Sequence, residues 1–210
     1  MIDSTPTGDA PHADGSARTD DADSSTAPTE DPRPDGLRRA DSLLVVNTGN
    51  GKGKSSSAFG MMVRGVARGW NVGVVQFIKS GNWNVGEEKV GRQLGVDWHA
   101  FGDGFTWNSD DLSNDIAHAT QGWAAACSLM AAGDHQLLIF DELTYLTSFG
   151  WLPIEQIVEP IRNRPSHVNV IVTGRDAAPE LIDIADTVTE MMEIKHAYQQ
   201  GIRAMRGIDY

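Results

Sequence analysis

Lys54 and Ser55 close the glycine-rich stretch Thr48-Gly49-Asn50-Gly51-Lys52-Gly53-Lys54-Ser55, which follows directly on the apolar run Leu43-Leu44-Val45-Val46. These residue types in this order form a cradle for phosphate. Glycines let successive backbone N–H groups converge on an anion, the lysine ammonium supplies a point charge for terminal phosphates, and the serine hydroxyl is placed to ligate Mg²⁺ or Mn²⁺. The helix expected next, with Ser56 in its first turn, adds the positive end of its dipole. The usual pattern separates a first glycine from Gly-Lys-Ser by four residues, whereas here Thr48 holds that place and Gly49 comes one position late. Something nonstandard bound at this loop is the expectation.

Two further strand ends carry chemistry toward the same phosphates. Leu137-Leu138-Ile139-Phe140 runs into Asp141-Glu142, a carboxylate pair able to hold the divalent ion directly or through water. In an ordinary ATPase the second carboxylate would instead orient an attacking water. The apolar stretch 168–172 runs into Thr173-Gly174-Arg175, whose guanidinium is suited either to grip a terminal phosphate or to pair with a surface carboxylate. Arg64, on the first helix, is a further candidate for the nucleotide side. His99, His118, His135, His167 and His196 form neither a metal-ligand set nor a base–nucleophile arrangement, and Cys127 among alanines reads as a small packing residue. A reaction without a protein nucleophile fits this inventory.

The elements that must position these residues alternate. Apolar, β-branched runs recur at 43–46, 72–78, 137–140 and 168–172, and helical periodicity fills 55–68, 115–132, 153–163 and 179–185. Pro153 and Pro179 suit first-turn positions, and Gly69 and Gly133 suit helix exits. Near-continuous hydrophobic strands mean a sheet buried on both faces. The expectation is therefore an α/β fold of the P-loop NTPase, RecA-like kind, doubly wound, with a mostly parallel sheet and its site at the carboxyl edge. The connection 80–114, rich in glycine and tryptophan, reads as a long functional loop that supplies a second substrate's pocket.

Composition bounds the rest. From Asp3 to Gly36 there is no Val, Leu, Ile, Phe, Met, Trp or Tyr, and residues 1–36 carry nine acidic and two basic side chains, −7 of the chain's −12. Such a segment is expected to be a disordered acidic tail ahead of a domain at 37–210, because it cannot offset the entropy of ordering itself. No basic stripe suggests nucleic acid, no apolar run is long enough for a bilayer, and the single cysteine cannot form an internal disulfide. A soluble cytoplasmic protein is expected.

With Gly-Val-Val-Gln-Phe-Ile-Lys at 73–79, Gly-Phe-Thr-Trp at 104–107, Asp-Glu-Leu-Thr-Tyr at 141–145, Thr-Gly-Arg at 173–175 and the ending Lys195-His196-Ala197-Tyr198 through Gly207-Ile208-Asp209-Tyr210, the chain resembles the ATP:corrinoid adenosyltransferases of cobalamin biosynthesis and salvage. The likeness spans roughly 43–210. It implies transfer of the 5′-deoxyadenosyl group of ATP to a Co(I) corrinoid with release of triphosphate, cobalt being the nucleophile. It implies that Lys54, Ser55, Mg²⁺ and Arg175 hold the triphosphate as leaving group, that Glu142 partners the metal with Asp141 in support, and that ATP lies reversed relative to other P-loop enzymes. Phe105 and Trp107 match the aromatics that displace the corrinoid's lower axial ligand, easing reduction of Co(II). A homodimer and a flavin reductant protein are also implied. The family's arginine- and glutamine-rich N-terminal helix is reduced here to Leu37-Arg38-Arg39-Ala40. From the residues alone, a P-loop kinase or ATPase, or a nucleotide-dependent corrinoid carrier, remain alternatives.

Overall fold

The computed structural model describes residues 33–78, 86–102 and 112–209. The chain divides into two units, Met1–Arg38 and Arg39–Tyr210. Residues 33–38 are all that is described of the first, and they are exposed and without helix or strand.

The second unit is a six-stranded sheet in which every neighbouring pair is parallel. Its strands are β1 (Leu44–Thr48), β2 (Val72–Phe77), β3 (Asp97–Phe101), β4 (Leu137–Asp141), β5 (Asn169–Thr173) and β6 (Thr187–Glu190), in the order β3-β2-β4-β5-β1-β6. One strand, β5, thus separates β1 from β4, so the glycine-rich loop and the Asp141-Glu142 pair leave the sheet two strands apart. Helices α1 (Lys54–Ala67), α2 (Gly86–Gln93), α3 (Leu112–Ala132), α4 (Tyr145–Ser148), α5 (Ile154–Arg162) and α6 (Pro179–Asp183) complete the fold.

Side chains alternate along the strands, and the alternation divides the core in two. Val75, Phe77, Leu138, Phe140, Val170 and Val172 pack with Trp123 and Met130 of α3 and Ile157 and Ile161 of α5. Val72, Val74, Leu137, Ile139 and Ile171 pack on the other face with Ala58, Phe59 and Met62 of α1. Each such fully buried side chain is worth about 1.5–3 kcal/mol, which is why strands apolar on both faces lie at the centre of the sheet. The exposed four-residue β6 takes one edge. Gly69 and Gly133 follow α1 and α3 with φ of 75° and 69°, left-handed exits that glycine adopts without strain.

The sequence-based expectation of a loop over 80–114 is corrected in part: α2 and β3 lie inside it. The stretch Val96-Asp97-Trp98-His99-Ala100-Phe101 keeps the alternation of a strand with one buried face, and glycine-rich flanks masked it. Trp98 is 3% exposed and stacks tilted on Phe59 at 5.3 Å, so this edge strand is fastened by aromatic packing.

Candidate active site at the carboxyl edge of the sheet

The glycine-rich loop leaves β1 at Thr48 and enters α1 at Lys54. Gly49 and Gly53 have φ of 91° and 111°, the region that favours glycine. A Cβ on Gly49 would sit 2.5 Å from the Met191 carbonyl oxygen, and one on Gly51 would sit 2.6 Å from that of Met192. The chain leaving β6 passes directly against the loop: Gly51 N–H donates to Met191 O at 2.6 Å and Met191 N–H donates to Thr48 O at 2.8 Å. Close packing with this segment is therefore a sufficient physical reason for the late Gly49.

Lys54 is 8% exposed, and its ammonium donates to the Gly51 carbonyl at 2.8 Å. Burial is the main cause that lowers its pKa below the ordinary lysine value, and the Arg175 cation pushes the same way, while Glu142 foremost, then Asp141 and Asp176, oppose it. Two strand exits, those of β4 and β5, thus act on one ammonium. Ser55 is half-buried and Ser56 exposed in the first turn of α1, the end of a helix whose backbone N–H groups suit an anion. Lys52, exposed, pairs with Asp209. Thr48 Oγ1 accepts from Ala177 N–H at 3.2 Å, tying the loop to the exit of β5.

At the exits of β4 and β5 the two carboxylates separate in role. Asp141 is fully buried; Gln76 Nε2 donates to one of its oxygens at 2.9 Å and Thr173 Oγ1 to the other at 2.7 Å. Trp98 Nε1 in turn donates to Gln76 Oε1 at 3.0 Å, and Glu142 N–H donates to Thr173 Oγ1 at 3.0 Å. This polar chain runs across β3, β2, β4 and β5. Asp141, expected to support the metal, has both carboxylate oxygens engaged inside the sheet as a clamp, and Glu142, half-buried, is the carboxylate at the edge. Glu142 has φ 63°, Asp176 φ 52° and Ile78 φ 70°, so three non-glycine residues occupy left-handed backbone just beyond β4, β5 and β2. Such strain collects where function requires it. Gly174, φ 141°, leaves no room for a Cβ, which would lie 2.0 Å from Thr144 Oγ1; that hydroxyl donates to Arg175 O at 2.5 Å and fixes the turn bearing the guanidinium.

Among the described residues no three His, Cys, Asp or Glu side chains form a metal site. The hard oxygens of Ser55 and Glu142 suit Mg²⁺ or Mn²⁺ only as an ion shared with phosphate oxygens, which is how Mg²⁺ is commonly held.

The structure brings together Lys54, Glu142 and Arg175 with the loop 48–56. Arg64 is a correction. It lies in the last turn of α1, about 15 Å along the axis from Lys54, and lines an apolar cavity of about 320 Å³ with Leu43, Trp70 and Leu137 at the opposite edge of the sheet. Arg64→Ala is expected to leave KM for ATP within about twofold, the scale of an exposed charge far from the ligand, as steady-state titration of ATP would reveal. Phe105 and Trp107 lie outside the described residues. Residues 37–40 are exposed and carry no helix. Cys127 is half-buried, and burial pushes its thiol up, as a packing residue requires. Sequence reasoning assigned no role to Gln76, Trp98, Thr144 or Thr173. A glutamine within an otherwise apolar central strand was the available signal, since a buried amide must find partners.

Known proteins resemble this chain along most of its length. Residues 40–210 match the family model described as ATP:corrinoid adenosyltransferase BtuR/CobO/CobP. A corrinoid adenosyltransferase of Pseudomonas aeruginosa is 46% identical over 170 residues, 80% of this chain and 83% of that protein. The corrinoid adenosyltransferase of Escherichia coli K12 is 40% identical over 168 residues, 80% and 85% of the two chains, and one from Sinorhizobium is 35% identical over 171 residues, 80% of each.

Proposed function

The chain belongs to the ATP:corrinoid adenosyltransferase family, and from that premise we propose how its residues divide the transfer of the adenosyl group from ATP to a corrinoid. The observation that carries the reading is the meeting of Lys54 with Glu142 and Arg175 at one edge of the sheet. Cobalt(I) supplies the electron pair for the new Co–C5′ bond and is formally oxidised to Co(III). The C5′–O bond breaks, and its pair leaves on triphosphate.

Negative charge accumulates on the leaving oxygen, so fixed cations stabilise the transition state more than the ground state. Lys54, the N–H groups of 49–55 and the Arg175 guanidinium fill that role, with Thr48, Asn50, Lys52 and Ser56 completing the cradle. Mg²⁺ or Mn²⁺, when bound, would be held by Ser55 and Glu142 together with the phosphates and would neutralise the triphosphate further. Positioning does the remaining work: C5′ must point in line at cobalt, which ATP reversed in the loop achieves. Because the metal substrate is itself the nucleophile, no protein base is needed. Phe105 and Trp107 serve beneath the corrinoid, a flavin reductant protein delivers the electron, and the enzyme works as a homodimer in the cytoplasm. No described helix is long and apolar enough to cross a membrane.

Incubation with ATP, Mg²⁺ and chemically reduced corrinoid should yield adenosylcorrinoid and triphosphate in equal amounts. ADP or orthophosphate as the stoichiometric product would overturn the reading in favour of a kinase or ATPase, and turnover beyond one equivalent would exclude a carrier. For Phe105→Ala with Trp107→Ala, turnover from Co(II) with a flavin reductant should fall about tenfold or more, a loss of at least about 1.4 kcal/mol, while turnover from preformed Co(I) survives better. Equal losses in the two assays would make the rings mere pocket walls.

A further inference from the structure

The phosphate loop carries a second lysine, Lys52, whose own anchor lies outside the loop. Lys52 pairs with Asp209, whose other carboxylate oxygen accepts Met205 N–H at 2.8 Å. Asp209 N–H donates back to Met205 O at 2.8 Å, so the turn 205–209 is closed on itself and presents its carboxylate already oriented. The Lys52 hydrogen bond foremost, then that backbone bond, hold the Asp209 carboxyl below its usual range, so it stays anionic at neutral pH. One residue away, Gly51 N–H is bonded to Met191 O at 2.6 Å. Between these anchors Gly207 and Ile208 border a cavity of about 440 Å³ with Phe59 and Val63 of α1 and Val90 of α2.

The crest of the loop is thus fastened from outside, at two adjacent residues, by the segment 191–209. A loop with glycine at 49, 51 and 53 has much conformational freedom to lose when it closes on phosphate, and anchors that hold its crest remove part of that cost in advance. Resting on the phosphate-loop reading above, we propose that Asp209 is a positioning residue for ATP: by holding Lys52 it fixes the crest of the loop in the form that receives triphosphate, and so sets nucleotide affinity without entering the chemistry.

The test uses the full chain, with MgATP binding followed by calorimetry and steady-state kinetics in both substrates. Asp209→Asn should raise Kd for MgATP about threefold, the scale of an exposed ion pair, leaving kcat at saturating ATP and KM for corrinoid within about twofold. Asp209→Glu should restore affinity, and the reversed pair, Lys52→Asp with Asp209→Lys, should bind better than either reversed single variant. The advantage of the unmutated chain over Asp209→Asn should shrink toward about 1 M salt. Unchanged affinity in Asp209→Asn overturns the proposal, as does tighter binding, which would mean that Asp209 restrains Lys52 from the phosphates. A fall confined to kcat overturns it too. If the unmutated chain forms no adenosylcorrinoid, the transferase reading fails, whereas the binding measurements judge the Asp209 clamp independently.

Discussion

Lys54→Met should lower kcat/KM by about 10²–10³-fold and yet raise the thermal stability of the ligand-free protein. The loss follows from removing a fixed cation aimed at a developing anion, which costs of that order in enzymes that use such stabilisation. The gain follows from the site itself. Lys54 is 8% exposed, and burial, the leading cause, lowers its pKa from the ordinary value. A lowered lysine pKa means that the folded state holds the proton less well than the unfolded chain does, so the charged form costs stability. Below the folded pKa both states are protonated and the whole cost is present. As pH rises from the folded pKa toward the model-compound value of 10.5, the folded chain sheds its proton first and the cost is relieved. Stability attributable to this group therefore rises with alkaline pH, and in Lys54→Met that rise should vanish. Methionine keeps the buried stem and deletes the charge, so melting curves of the two proteins across neutral to alkaline pH, with adenosylation assays beside them, check both halves. A less stable variant with normal activity would contradict the assignment of Lys54 to the triphosphate.

That opposition between fold and function also explains how far the sequence was readable. The phosphate loop, the carboxylate pair and Arg175 could be recognised because each follows an apolar run long enough to declare a central strand, and a strand's end fixes where its next residues go. The edge strand β3 and helix α2 were hidden because their apolar alternation is short and bounded by glycines, and a loop composition prevailed. Arg64 was misplaced for a metric reason: periodicity puts it on α1, but helical rise carries it to the far end. The separation of Asp141 from Glu142 was not visible at all. Asp141 ends β4 and Glu142 turns away in left-handed backbone just beyond it, and only the tertiary structure reveals that Gln76 and Thr173 wait beside Asp141 with donors. Likewise Gly49 invited a reading in terms of the nucleotide alone, whereas the chain leaving β6 lies against it and demands glycine whatever is bound.

The buried polar chain makes Asp141 the residue whose loss should be felt most by the fold. Asp141→Ala removes two hydrogen bonds to a charged acceptor and leaves the amide of Gln76 without that acceptor inside the sheet, a cost of about 3 kcal/mol after relief of the carboxylate's own desolvation. For a domain of this size that corresponds to a fall in Tm of about 6–12 °C. Asp141→Asn should cost about 1 kcal/mol, because its carbonyl still accepts from Gln76 and its amide donates to Thr173 Oγ1, while that hydroxyl turns elsewhere. Glu142→Gln supplies the contrast: at the sheet edge it should leave Tm nearly unchanged and raise the Mg²⁺ concentration needed for half-maximal adenosylation, a shift that Mn²⁺ binding to the ATP complex, followed by electron paramagnetic resonance, would report without turnover. If Asp141→Asn instead weakened Mn²⁺ binding as much as Glu142→Gln did, while melting normally, the carboxylate would have to leave the sheet when ATP binds. The clamp would then be a resting state, and Thr173, whose hydroxyl bonds Asp141 and accepts from the Glu142 amide, would be the point at which nucleotide binding loosens the centre of the sheet.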